Sequence, residues 1–109
     1  MPEIRYYAAS DGQQPFATWF ADLDAVARVK VTRAIARLEQ GNFSSVKSVG
    51  EGVFEYRIDF GPGYRVYFGQ DGTTLVILLT GGTKKRQQSD VDTAHGYWRS
   101  YKASKCKRR

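Results

Sequence analysis

The segment "GGTKKRQQSD" (81–90) carries the clearest chemical signal in this sequence of 109 residues. It follows the most apolar run, "LVILLT", and it places Lys84, Lys85 and Arg86 side by side. Exposed ion pairs are worth only about 0–1 kcal/mol, so stability alone does not explain three adjacent cations. Arginine also matches two oxygens of a phosphate with its planar guanidinium. We therefore expect this segment to bind an anion.

The charge distribution points to a polyanion. The net charge is +6, but residues 1–83 sum to −1 and residues 84–109 sum to +7. An excess of cations confined to one part of a chain suggests nucleic acid as a partner. For the last residues, "KCKRR", the alternative is a tail that only increases solubility.

A β-hairpin brings further cations to the same place. Residues 53–60, "VFEYRIDF", and 64–69, "YRVYFG", alternate apolar and polar side chains around a "GPG" turn. A symmetric turn would place Asp59 opposite Arg65, and Arg57 opposite Tyr67. The alternative for Arg65 is a simple cross-strand ion pair with Asp59.

The next strand, 73–81, returns to the "GPG" end of the hairpin, because antiparallel strands start and stop there. The predicted cluster gathers cations around Tyr67: Arg57, Arg65, Lys84, Lys85 and Arg86. Cations bind phosphates and an aromatic ring stacks on a base, so single-stranded RNA fits this cluster. Cleavage needs little more, since the RNA 2′-OH can attack its own phosphate without a metal.

Such a reaction needs groups that stabilise charge and groups that move protons. Glu55, His95, Tyr67 and a lysine are the candidates for proton transfer, although a lone His is more often an ordinary surface residue. The sequence shows no nucleophile triad, phosphate-binding glycine loop or metal motif. We expect neither a metal nor a cofactor.

The remaining segments predict the elements that position this cluster. We expect a strand at 3–9, a helix at 15–23, a helix at 24–42 capped by Asp24 and ended by Gly41, and a loop at 43–52. Another helix at 89–102 would start at a capping box of Ser89 and Asp92. The order β-α-α-β-β-β-α indicates an α+β fold, with a helical hairpin packed on an antiparallel sheet and the helices on one side of it.

Length and composition favour one globular domain over residues 1–109, with a basic tail at 103–109. The longest apolar run is about six residues, whereas a membrane span needs roughly 20. Cys106 has no second cysteine to pair with. These features predict a cytoplasmic protein without a membrane partner.

Three segments carry a family resemblance: "YRIDFGPGYRVYF", "LLTGGTKKRQQ" and "DVDTAHGYW". Residues 3–102 resemble the RelE/ParE toxin superfamily, and more closely its HigB-type, phage Gp49-like branch of addiction module killer proteins. The resemblance implies the toxin of a type II toxin–antitoxin system, inhibited by a cognate antitoxin. Many members are metal-independent endoribonucleases that cleave mRNA in the ribosomal A site, whereas the ParE branch inhibits DNA gyrase.

The resemblance also assigns residues. Arg65 matches the strand arginine that contacts the scissile phosphate, Arg57 has a counterpart one strand earlier, and Lys84 or Lys85 falls near the second basic position. Tyr97 is the stand-in for a C-terminal catalytic tyrosine that has no direct match. The further candidates are a carboxylate and a histidine for catalysis, and aromatic and basic residues for RNA: Glu55, His95, Tyr67, Arg86, Arg99 and Lys102.

We therefore predict an mRNA endoribonuclease that acts on the ribosome. Its partner would be a small antitoxin, net acidic or DNA-binding, with a helix-turn-helix. A gyrase inhibitor and a non-catalytic nucleic-acid-binding module are the alternatives.

Overall fold

The structure, a computed structural model, describes residues 2–107. Its elements follow in this order: β1 (Glu3–Tyr6), α1 (Pro15–Ala21), α2 (Ala25–Glu39), β2 (Val46–Ser48), β3 (Val53–Ile58), β4 (Tyr64–Asp71), β5 (Leu75–Thr83), a 3-10 turn (Lys84–Arg86) and α3 (Gln87–Lys107). The predicted α+β class is confirmed. None of the helices within residues 2–107 is long and apolar enough to cross a membrane.

The five strands form one sheet in the order β1-β5-β4-β3-β2. All neighbours are antiparallel except β1, which runs parallel to β5. The prediction of a purely antiparallel sheet is therefore wrong at this edge. Strand β2 lies within the predicted loop 43–52 and pairs with β3. Its three residues are too few for an alternating pattern to reveal a strand.

Helices cover both faces of the sheet, so the prediction of helices on one side is wrong. The first core, beneath α1 and α2, includes Phe16, Val31, Leu38, Val66 and Leu78. The second core, beneath α3, includes Tyr67, Leu79, Val91, Ala94 and Trp98. Because β5 is apolar on both faces, each face needs its own cover. The apolar residues of β5 thus divide between the two cores.

The ends of the helices follow the sequence signals in α2 but not in α3. Asp24 Oδ1 accepts a hydrogen bond from the Ala27 amide at 2.9 Å, so the predicted cap is confirmed. Gly41 has a φ of +79°, as a helix-ending glycine should. Helix α3 already begins at Gln87, so Ser89 and Asp92 form no capping box. The helix also extends through Lys107, so most of the predicted basic tail is helical; residues 108–109 lie outside the described residues.

Candidate functional site

The β3–β4 hairpin has a different register from the predicted one. Arg57 lies opposite Arg65, and Glu55 lies opposite Tyr67. The loop spans residues 59–63, because the Phe60 amide bonds back to Ile58 O and the Gly63 amide to Phe60 O. Asp59 therefore belongs to the loop, and the predicted pairing of Asp59 with Arg65 is wrong. The register moves by two residues, so every side chain keeps its predicted face.

A directly opposed pair of arginines is unfavourable, because like charges across two strands repel. The carboxylate of Glu55 lies between them. Its Oε2 is 3.4 Å from Arg65 Nε and its Oε1 is 3.8 Å from Arg57 Nε. Glu55 is fully buried and the Arg65 side chain is only 4% exposed, whereas Arg57 is 55% exposed. One buried carboxylate thus offsets two cations, and only one of those cations is buried with it.

Neighbouring groups fix this buried pair in place. Gln87, the first residue of α3, donates from Nε2 to Glu55 Oε2 at 2.9 Å, and Arg65 donates from Nη1 to Gly63 O at 2.9 Å. Three buried polar atoms have no hydrogen-bond partner among the described residues: Glu55 Oε1, Arg65 Nε and Tyr67 Oη. Neither ion pair of Glu55 is therefore a hydrogen bond. The charged groups make only some of the hydrogen bonds of which they are capable.

An open cavity of about 620 Å³ lies against this pair. Arg57, Arg65 and Lys84 line it together. The Lys84 amide donates to Gly63 O at 2.9 Å, which holds the end of β5 against the hairpin loop. The predicted meeting of Lys84 with the "GPG" turn is therefore confirmed. The other polar wall residues were not anticipated as site residues: Ser44, Ser45, Lys47 and Asp59.

The glycine pair before Lys84 allows close packing on both faces of β5. A Cβ at Gly81 would overlap the Trp19 ring of α1, and a Cβ at Gly82 would overlap the Asp90 carboxylate of α3. Gly82 lies opposite Arg65, so Asp90 approaches the sheet beside the cavity. Burial raises the pKa of Asp90, and the Arg86 cation acts against that rise.

Four residues predicted for the cluster or for proton transfer do not line the cavity. Tyr67 is fully buried in the second core, so it offers no ring face to a base, and its predicted stacking role is wrong. Burial raises the pKa of Tyr67, and the nearby Glu55 carboxylate raises it further, so the phenol stays protonated. Glu55 is equally inaccessible, so its geometry suits holding the arginines rather than exchanging protons with a substrate. Lys85 and Arg86 are exposed on the 3-10 turn and do not line the cavity.

The predicted site residues of α3 lie elsewhere. His95 contacts Val49 O through Nε2 at 2.9 Å, next to the start of β3 rather than its end. Tyr97 stacks on Tyr7 with ring centroids 5.2 Å apart, Arg99 pairs with Glu51 at 2.8 Å, and Lys102 lies over the Trp98 ring at 5.9 Å. None of these four residues lines the cationic cavity.

Sequence reasoning missed Gln87 and Lys47. Lys47 lies on the short strand β2, opposite Glu55, and becomes visible only once that strand is paired. Gln87 is one of two neighbouring glutamines, and only the start of α3 distinguishes it from Gln88. Among the described residues, 2–107, no group of three or more His, Cys, Asp or Glu side chains is arranged to hold a metal ion.

Two comparisons relate this chain to other proteins. A model of the family "Phage derived protein Gp49-like (DUF891)" matches residues 18–95. A protein of Haemophilus influenzae, described as an "Uncharacterized protein", is 46% identical over 80 residues, which cover 72% of this chain and 81% of that protein. The segment matched by the family runs from α1 into α3 and contains every residue named above that lines the cavity.

Proposed function

We propose that this chain, which belongs to the phage-derived Gp49-like protein family, is the toxin of a type II toxin–antitoxin system and cleaves mRNA on the ribosome. The observation that carries the proposal is the opposed pair Arg57 and Arg65 beside an open cavity. The ribosome as the site of cleavage and the antitoxin as the inhibitor are proposed from the resemblance of the sequence to RelE/ParE toxins. The ribosome rests on that resemblance alone, and the antitoxin rests on it together with the positive charge of the chain.

The electrostatics of the cavity favour a phosphate. Arg57, Arg65, Lys84 and Lys47 line it, and Asp59 is the carboxylate in its wall, with Glu55 buried behind. A sequence that places two arginines opposite each other breaks a local rule of strand pairing, and such breaks occur at functional sites. A bound phosphate would neutralise the excess charge and accept hydrogen bonds from both guanidinium groups.

The chemistry is attack within the RNA strand. The 2′-oxygen forms a bond to the adjacent phosphorus, the bond from phosphorus to the 5′-oxygen breaks, and a 2′,3′-cyclic phosphate and a 5′-hydroxyl remain. Arg65 stabilises the charge that develops on the phosphate oxygens, while Arg57 and Lys47 position the strand. Charge stabilisation of this kind is often the largest contribution to catalysis.

Two protons must move in this reaction. One leaves the 2′-hydroxyl, and another reaches the departing 5′-oxygen. Asp59 is the carboxylate in the cavity wall and takes the first proton in our proposal, while Lys84 donates the second. Of the groups that the sequence predicted for proton transfer, Glu55 and Tyr67 are buried and His95 lies outside the cavity.

An antitoxin would complete the system. The net charge of +6 favours an acidic partner, because opposite charges speed association and suppress wrong partners. Co-expression of the chain with the product of the adjacent reading frame, followed by pull-down, tests for it. High-level expression of the chain alone with normal growth contradicts the toxin assignment.

Induction of the protein in cells tests the activity. We expect translation arrest and new mRNA 5′ ends mapped by primer extension. Gyrase-linked DNA breaks without mRNA cleavage would instead identify a gyrase inhibitor, and neither effect would leave nucleic-acid binding alone. The matched pair Lys84→Ala and Lys85→Ala tests the site, because only Lys84 lines the cavity. Lys84→Ala should weaken toxicity and Lys85→Ala should not; equal effects would contradict the placement of the site.

A further inference from the structure

Helix α2 carries a basic stripe that the proposed reaction does not use. Lys30, Arg33 and Arg37 follow one another at helical spacing, and Arg33 and Arg37 are exposed. Side chains four residues apart on a helix lie about 5–6 Å from one another at Cβ. None of the three is in an ion pair among the described residues, and Arg37 makes one long contact, 3.4 Å from Nη1 to Tyr56 Oη. The stripe therefore presents an excess of positive charge, with Asp59 as a carboxylate in the wall of the cavity beside it.

A second cavity, of about 310 Å³, runs along this stripe. Residues of α2 line it, whereas Arg65 and Lys84 line the cationic cavity only. The two share one wall at the end of β3, which contains Ser45, Arg57, Ile58 and Asp59. An extended anionic chain can therefore pass from one cavity to the other around the end of this strand.

Phe60 gives the second cavity an aromatic surface. It lines the cavity and is 37% exposed, so part of its ring is accessible. The Lys30 ammonium lies 4.9 Å from the centre of its ring. Cations along a groove with an exposed ring inside it are the combination that binds single strands, because phosphates pair with the cations and a base stacks on the ring.

We propose that the groove between α2 and the end of β3 is an extension of the RNA site, which binds the single strand beyond the nucleotides at the cationic cavity. Arg33 and Arg37 contact phosphates, and Phe60 stacks on a base. Arg57, in the shared wall, joins the two halves of the path. This inference rests on the proposed function for the identity of the ligand, and it adds a second subsite with its own residues.

Binding of short oligoribonucleotides tests the path. The probes are a dinucleotide and an octanucleotide, labelled at the 5′ end and 2′-O-methylated so that they cannot be cleaved, measured by fluorescence anisotropy from 0.05 to 0.5 M salt. The variant is Arg33→Gln with Arg37→Gln, which removes both charges and leaves a donor near Tyr56. The matched control is Arg5→Gln on β1, an exposed arginine that lines neither cavity.

Each phosphate contact on a single strand adds about 0.7 to the slope of log affinity against log salt. Loss of two contacts should flatten the slope by about 1.4. If both proteins bind equally at 1 M salt, the variant should bind the octanucleotide about 25-fold more weakly than the unmodified protein at 0.1 M salt. Phe60→Leu should weaken octanucleotide binding about tenfold, with little change in the slope of log affinity against log salt. Dinucleotide binding by both variants, and all binding by Arg5→Gln, should equal that of the unmodified protein.

Several results would overturn the inference. One is an unchanged octanucleotide affinity in the Arg33→Gln, Arg37→Gln variant. Another would be a polyglutamate peptide of equal charge that binds as tightly as the octanucleotide and whose binding the double variant weakens as much. The groove would then favour an acidic protein. The Lys84→Gln variant separates this inference from the proposed function, because Lys84 lines the cationic cavity and not the groove. If it leaves dinucleotide binding unchanged while the double variant weakens the octanucleotide, the cationic cavity is misassigned and the groove stands.

Discussion

Replacement of Glu55 by glutamine removes the one buried charge that separates the two opposed arginines. Gln keeps the size of the side chain and an acceptor for Gln87 Nε2, so the packing changes little. The carboxylate charge is lost, and Arg65 remains 4% exposed without an ionic partner. The variant therefore isolates the electrostatic contribution of the buried pair.

The expected cost follows from the burial of each partner. Removing one member of a buried ion pair typically destabilises a protein by about 3–5 kcal/mol, because the other charge is left desolvated. Arg57 is more than half exposed, so its pairing with Glu55 adds little. Since the hydrogen bond from Gln87 can persist, we expect a destabilisation at the lower end of this range, about 3 kcal/mol. For a domain of this size that corresponds to a melting temperature lower by about 12 °C.

Thermal and urea unfolding of four proteins measure this effect: the unmodified chain, Glu55→Gln, Arg65→Met and the double variant. Because Arg65→Met removes the charge that Glu55→Gln leaves unpaired, the double variant should lose about 1–3 kcal/mol less than the sum of the single changes. Inorganic phosphate should stabilise Glu55→Gln more than the unmodified chain, because an anion in the cavity replaces the lost carboxylate. Additive changes within about 0.5 kcal/mol, or a stable Glu55→Gln protein, would refute this electrostatic account.

Further changes test the packing and the titrating groups. Gly69→Ala should destabilise by about 1–3 kcal/mol, because its Cβ would overlap the indole ring of Trp98 in α3. Gly96→Ala within α3 should stabilise by up to about 1 kcal/mol, because its Cβ would make only an ordinary contact, 3.9 Å from Arg99 Nη2. Urea unfolding measures both changes. The Lys105 and Tyr101 bonds lower the pKa of Asp71, so its stabilisation is present above the ordinary carboxyl pKa and is lost as the pH falls through the lowered value. Asp71→Asn should therefore destabilise at pH 7, and its effect should shrink as the pH falls through the lowered pKa of Asp71. The pKa of Asp90 is raised, so stability is lost as the pH rises through it, and Asp90→Asn should stabilise at pH 7 and not at pH 3. Reversed signs for either asparagine variant in unfolding at the two pH values would contradict these assignments.

The elements with strong periodicity were predictable from the sequence. The buried residues of α2, Ala27, Val31, Ala34 and Leu38, follow the helical period of 3.6 residues. Successive residues of β4 fall in opposite cores, as a period of two requires: Val66 and Phe68 in the first and Tyr67 in the second. The meeting of Lys84 with the "GPG" turn needed only the antiparallel order of three strands. These features are local, or they follow from strand direction alone.

The register and the burial of the hairpin were not predictable in the same way. Whether three or five residues form its loop depends on the hydrogen bonds of Phe60 and Gly63, and "GPG" permits both. That choice decided whether Arg65 faces Asp59 or Arg57. Likewise, the alternation of the hairpin assigned Tyr67 to the polar face, but only the docking of α3 shows that this face is largely a second core. Polar residues that alternate along a strand therefore show which side of the sheet they occupy. They do not show whether that side is exposed to solvent.

The most direct test of the proposed site is the rate of mRNA cleavage by purified Arg65→Lys protein on programmed ribosomes. Lysine keeps a cation beside Glu55 but lacks the two-pronged donor that fits a phosphate. We expect a rate lower by about 10²–10³, with circular dichroism and phosphate-free melting close to those of the unmodified chain. Arg99→Lys, the same chemical change at an arginine outside the cavity, should cleave normally. Cleavage by Arg65→Lys at the unmodified rate would contradict the assignment of Arg65 to the reacting phosphate.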